Sequence, residues 1–168
     1  MGTFFLTYII LTFLYQQYLN SFEVNKIDSI TRMVSENTQQ VLQLFTYSSW
    51  IEESLEHPYM KLFYGQKYVA RIVEGCNAIS VIILFISFVI AFSGKFKATL
   101  LFIFGGSLLI YVLNVLRIAA LSVLIYCFPK QEPFLHGVLF PLYIYGVVFI
   151  LWLIWVGNFS RYASKNIK

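Results

Sequence analysis

The chain has 168 residues, of which 59% are hydrophobic, 19% aromatic and only 12% charged. A soluble domain carries roughly 45–50% apolar and about 25% charged residues, so a soluble fold of this size is excluded, and so is intrinsic disorder, which needs low hydrophobicity. What remains is a polytopic membrane protein; its net charge of +4 is no nucleic-acid signature, because no basic cluster interleaved with aromatics lies in a polar segment.

The first apolar run covers residues 4–22, with the uncharged interior FFLTYIILTFLY. It lacks a basic n-region and a small-residue cleavage site, so it reads as an uncleaved first span rather than a signal peptide. Residues 20–75 are the only long polar stretch. Within it Ile27, Ile30, Val34, Val41 and Leu44 recur at helical spacing, with Lys26, Asp28, Arg32 and Glu36 between them. This predicts an amphipathic helix, on the membrane surface or against the bundle. Residues 50–64 are rich in aromatics and include Glu52, Glu53, Glu56 and His57-Pro58; they read as an interfacial loop or short helices. Residues 68–74 alternate weakly and read as extended.

A second span covers about residues 77–93, and Ser93-Gly94-Lys95-Phe96-Lys97 makes a tight basic turn. The third apolar run, 98–128, carries a span over about 98–122. A straight helix over the whole run would reach about 46 Å, against a hydrocarbon core of ~30 Å. It must therefore tilt, kink near Gly105-Gly106, or leave the bilayer at one end. Pro129-Lys130-Gln131-Glu132-Pro133 reads as a closing loop, and a fourth span covers about 137–157. The tail, 161–168, is polar and basic.

The charges orient these spans. Lys95, Lys97, Arg161, Lys165 and Lys168 lie in the turn and tail without any acid, whereas residues 20–75 hold seven acids and five bases. The positive-inside rule puts the turn, the tail and both termini in the cytoplasm, and residues 20–75 outside. The expected fold is all-α: one membrane domain over 1–168, a bundle of about four transmembrane helices with an amphipathic extracytoplasmic segment.

This topology brings three reactive side chains to one level. Cys76 stands at the outer end of the second span, and His136 opens the fourth. Arg117 lies about 29 Å along the third run. A cysteine thiolate is a nucleophile, favoured by a nearby cation or a helix N-terminus. Histidine exchanges protons near neutral pH, and a guanidinium stabilises an oxyanion. Together they form the apparatus for acyl transfer through a thioester. Each has a plainer alternative. Cys76 serves equally as a small buried hydrophobe, Arg117 as a snorkelling side chain, and His136 as a loop residue. An ionisable residue inside a span is nevertheless a functional candidate by default.

Competitors are also present. Cys127 lies about 15 Å beyond Arg117 along the helix, His57 is a second candidate base, and a Cys76–Cys127 disulfide would leave no nucleophile. Asn114 shares a helical face with Arg117 and is a candidate to orient it or to bind substrate backbone. Asn77 and Glu74 flank the cysteine and are further candidate substrate contacts. No CxxC pattern occurs, and no metal or organic cofactor is implied.

Three blocks then carry a resemblance: Glu74-Gly75-Cys76-Asn77-Ala78-Ile79-Ser80, Asn114-Val115-Leu116-Arg117-Ile118 and Leu135-His136-Gly137. In this order they resemble the signatures of the exosortase/archaeosortase family, over about residues 68–155. The short four-span form is similar to the compact exosortase F-type subfamily, and Cys-Asn-Ala stands where many members carry Cys-Ser-Gly. The resemblance implies a cysteine transpeptidase or protease of the bacterial cytoplasmic membrane, working at its outer face with Cys76, Arg117 and His136. Its implied partner is the C-terminal sorting signal of an exported protein: a short motif, a transmembrane helix and a basic tail. A small membrane accessory protein is a further implied partner. The competing reading is a non-catalytic membrane scaffold in protein export, in which Arg117 pairs with an acid on a partner helix.

Overall fold

The computed structural model describes residues 2–23, 26–45, 48–92 and 94–159. Ser93 of the basic turn and the basic tail with Arg161, Lys165 and Lys168 lie outside the described residues. The first apolar run is helix α1 (Gly2–Asn20). It packs on α3 (Ile79–Ala91), with the Phe4 and Phe88 rings 4.7 Å apart. Its other side turns Phe5, Leu6, Ile9, Ile10, Phe13 and Leu14 outward, which suits a helix in contact with lipid.

The amphipathic segment is α2 (Ser29–Gln43), and the Asp28 carboxylate caps it by accepting from the Ile30 and Thr31 N–H groups at 3.0 and 2.9 Å, as N-cap aspartates do. Its buried face is Thr31, Val34, Ser35, Thr38 and Leu42, so the apolar set read from the sequence is only partly inward: Val34 is buried and Leu44 exposed. The hydroxyls tolerate burial because they bond back along the helix. Ser35 Oγ donates to Thr31 O and Thr38 Oγ1 to Val34 O, each at 2.8 Å, leaving no orphaned donor. Of the two expected positions for this helix, the structure shows the one against the bundle: α2 packs on α4 and on a sheet.

That sheet corrects the all-α expectation. Residues 50–64, read as a loop or short helices, fall in β1 (Ser49–Glu53) and β2 (Tyr59–Tyr64), and the extended stretch is β3 (Lys67–Val73). The three strands pair antiparallel in the order β1-β2-β3. In β2 Met60 and Leu62 alternate inward, and Trp50 stacks on Phe63 at 4.9 Å, a cross-strand aromatic pair of the kind that stabilises sheets. Gly65 and Gln66 join β2 to β3 with φ of 55° and 66°, the geometry of a two-residue type I′ hairpin. Leu62 faces Ala70 while Phe63 faces Tyr68, so Val69 is an extra residue and the strand bulges there.

The third apolar run is one helix, α4 (Phe96–Cys127), of 32 residues, about 48 Å long. Gly106 serves close packing: a Cβ there would come within 2.3 Å of the Phe85 ring, so α3 approaches α4 at its backbone. The excess length has a clear destination. Val115, Ile118 and Ala119 share a core with Ile27, Val34, Leu42, Leu62 and Ile72, so the second half of α4 is the stem on which α2 and the sheet form a cap. The hairpin tip grips the stem's end, with Tyr64 edge-on to Tyr126 at 5.2 Å and Lys67 Nζ 5.3 Å from the Tyr126 ring centre.

The stretch read as a loop before the fourth span is helical. It runs through a 3-10 turn (Pro129–Gln131), α5 (Glu132–Phe134) and a π-helical turn (Leu135–Leu139) into α6 (Phe140–Asn158). In the π turn Phe140 N–H reaches Leu135 O, five residues back. The wider turn suits Pro141, which follows it: the proline ring has no N–H for the Gly137 carbonyl and crowds it in a regular α-helix. Packing of α6 on α3 and α4 buries Phe85, Val89, Ile110, Ile144, Val148 and Trp155, and Trp155 Nε1 donates to Phe92 O at 3.0 Å. Two helices, Phe96–Cys127 and Pro129–Asn158, are long and apolar enough to cross a membrane. Beside them α1 covers about 29 Å and α3 about 20 Å.

Candidate active site

β3 continues directly into a 3-10 turn, Glu74–Cys76, which sets Cys76 where the cap meets the helices. Four elements tie down the loop that follows. Asn114 Nδ2, on α4, donates to Cys76 O at 2.7 Å. Asn77 Nδ2 donates to Tyr15 Oη on α1 at 2.8 Å and to Thr31 Oγ1 on α2 at 3.0 Å. Asn77 Oδ1 accepts from Ile79 N–H at 3.0 Å, at the start of α3. Asn77 and Asn114 are both buried. Their amides are therefore engaged within the protein and hold the cysteine loop. Between these anchors Ala78 has a left-handed backbone, φ 64°, a region disfavoured for any residue with a Cβ.

Arg117 lies one turn beyond Asn114 on α4 and is half-buried. Its Nε is buried without a hydrogen-bond partner. Neither ion pair among the described residues, Lys26–Glu23 or Arg32–Glu53, includes it. Cys76 and Tyr145 lie within its electrostatic reach. His136 stands exposed on the π-helical turn, which is fixed to α4 by a small core of Leu121, Ile125, Leu135 and Phe140.

Two cavities, of 240 and 220 Å³, join these side chains, and Cys76, Arg117, Leu121 and His136 line both. The first extends along β3 to Glu132, and the second runs past Val81 and Pro141 to Ile144 and Tyr145. The cysteine, arginine and histidine singled out in the sequence thus meet at one place. His57 does not join them: with Asp28 and Glu74 it lines a neighbouring cavity of 830 Å³, which borders the first at Arg71 and Val73. Glu74 is exposed on that side. Desolvation, and then the charge of Asp28, push its pKa above the usual carboxylate value. Both cysteines are free, and Cys127 is exposed at the far end of α4.

A family model described as transmembrane exosortase matches residues 2–157. The chain belongs to the transmembrane exosortase family. No curated protein and no solved structure matches it. Membership makes it a membrane protein of a family whose general activity is that of a cysteine transpeptidase. Two features of this exosortase-family site escaped the sequence reading. Tyr145 is one aromatic among many in an apolar run and carried no signal of its own. The contribution of β3 to the cavity follows from a sheet that had not been expected. A usable signal for the π turn was present: Pro141 stands four residues after Gly137.

Proposed function

We propose that the chain is a membrane-embedded cysteine transpeptidase or protease that cleaves the C-terminal sorting signals of exported proteins. In this reading α1, α3, α4 and α6 are four spans of the bacterial cytoplasmic membrane, both termini are cytoplasmic, and the cap and site face outward. His136 takes the thiol proton of Cys76 as Sγ attacks the scissile carbonyl, and the oxyanion develops beside Arg117. Collapse of the tetrahedral intermediate breaks the C–N bond, with His136 protonating the departing amine. The Cys76 thioester is then resolved by an acceptor amine or by water, which gives its proton to His136. The substrate's own transmembrane helix docks laterally, against spans whose outward faces carry side chains such as Leu142, Phe149 and Ile150. A small membrane accessory protein fits the same lateral surface.

The observation that carries this reading is Arg117 Nε, buried without a partner beside Cys76 and His136. An unsatisfied buried donor costs about 1–3 kcal/mol. An oxyanion formed in the cavity supplies the missing acceptor at the point where it lowers the barrier. Asn77 and Asn114 act as positioning residues for Cys76, and Glu74 as a neighbour on the opposite side of the turn.

The test is processing of exported proteins that end in a transmembrane helix and a basic tail. Cys76→Ala, Arg117→Ala and His136→Ala each abolish it at unchanged protein level, with the arginine variant losing about 10²–10³ in rate, while His57→Ala retains it. Cleavage by Cys76→Ala refutes the thioester. Processing that survives His136→Ala and not His57→Ala reassigns the base.

A further inference from the structure

Among the described residues β3 is an edge strand: β2 pairs with one side of it and no strand pairs with the other. Side chains alternate between the faces of a strand, so a cavity on one face touches every second residue. The 240 Å³ cavity is lined instead by five consecutive residues, Val69, Ala70, Arg71, Ile72 and Val73. It therefore runs along the unpaired edge, where the N–H and C=O groups of alternate residues point. Among the described residues, no turn, loop or side-chain hydrogen bond uses a backbone group of β3. Folded proteins usually cover or blunt such edges. This one is left open along a cavity whose floor is Ile118, Leu121 and Ile125 and which contains Cys76.

We propose that an extended segment of the substrate peptide adds to β3 as a fourth strand and so delivers its scissile carbonyl to Cys76. The proposal rests on the reading of Cys76 as nucleophile and specifies how the peptide is held. Residues 69–73 span about 13 Å, enough for a ladder of a few main-chain hydrogen bonds. Main-chain pairing tolerates many sequences, and side-chain pockets then select among them. Here every second residue of the docked strand faces Ile118, Leu121 and Ile125, so an apolar residue is favoured at alternate positions. The continuity of edge, cavity and cysteine favours a peptide over a lipid or a small molecule.

The experiment uses the full chain carrying Cys127→Ser, in membranes. The probes are tetrapeptides of alternating Val and Thr, with a chloroacetyl group at the N-terminus or a chloromethyl ketone at the C-terminus. Chloroacetamide and chloroacetone serve as the bare electrophiles. One peptide series alkylates Cys76 faster than its bare electrophile, and the faster series reveals strand direction. N-methylation at every second amide slows that reaction about three- to tenfold, and N-methylation of the intervening amides leaves it unchanged. Peptides no faster than the bare reagent, or an N-methyl effect without this period of two, overturn the docked strand while bare-reagent labelling still upholds the nucleophile. If neither peptide nor bare reagent labels Cys76, the nucleophile reading itself fails and the docked strand fails with it.

Discussion

Ala78 stores the backbone strain of the cysteine loop. A left-handed conformation costs a residue with a Cβ about 1–2 kcal/mol, and Ala78 holds φ 64° because Asn77 is anchored on one side of it and α3 begins on the other. Glycine stands at this place in the Cys-Ser-Gly pattern that many family members carry. Ala78→Gly therefore raises stability by up to about 1 kcal/mol, less glycine's greater entropy loss on folding, and thermal melting of the purified protein checks it. Glu74 gives a pH-dependent counterpart. Its pKa is raised by desolvation and by Asp28, so folding disfavours its charged form. That penalty is absent below the ordinary carboxylate pKa, grows as pH rises through it, and is complete above the raised value. Glu74→Gln accordingly raises Tm at neutral pH, and the gain disappears in acid; an equal gain at both would refute the electrostatic origin. The three candidate residues were legible because Cys76, Arg117 and His136 stand out in an apolar text. The roles of Asn77 and Asn114 were not. Whether an amide faces substrate or protein depended on Tyr15 and Thr31, which lie 62 and 46 residues from Asn77.

At the level of elements, the π turn governs His136. Pro141→Ala restores the missing N–H and lets Leu135–Leu139 relax toward an α-helix. One residue's difference in a helical turn is a rotation of about 100°, which turns His136 away from the cavities it lines with Cys76. The expected result is at least a tenfold fall in processing with helical content and Tm maintained; wild-type processing would show that the π turn does not position the histidine. The helices themselves were legible from apolar runs and the 3.6 period. The strands at 49–64 were obscured because Trp50, Phe63 and Tyr64 turn no consistent face, and Glu52, Glu53 and Glu56 imitate a loop. Their inward pair, Met60 and Leu62, is too short a pattern to separate strand from helix. The helical turns from Pro129 onward were obscured by two prolines, which are compatible with first turns of helices as well as with loops.

For the whole molecule, the decisive property is a cap mounted on a long stem. The length arithmetic required the third run to tilt, kink or emerge, and its second half is occupied by the cap core. The proposed orientation is testable from both sides in a Cys76→Ser, Cys127→Ser background. Leu55, 95% exposed between β1 and β2, is replaced by cysteine in one variant, and Lys95, between α3 and α4, in another. A membrane-impermeant maleimide labels Leu55→Cys in intact cells and Lys95→Cys only after lysis; the opposite pattern reverses the topology.

The stem also decides how the site responds to the lipid around it. Asn114, which holds the Cys76 carbonyl, and Arg117 leave the same rod one turn apart. Helices adapt to thinner or thicker bilayers mainly by tilting. When α4 tilts, the cysteine loop and the guanidinium travel together and their spacing is preserved. His136 is not on that rod: it stands on the π-helical turn, which is held to α4 by the side-chain packing of Leu121, Ile125, Leu135 and Phe140. In the proposed mechanism a change of bilayer thickness would therefore act first on the step assigned to His136 and least on the spacing of Cys76 and Arg117, which would make the histidine the lipid-sensitive member of the three.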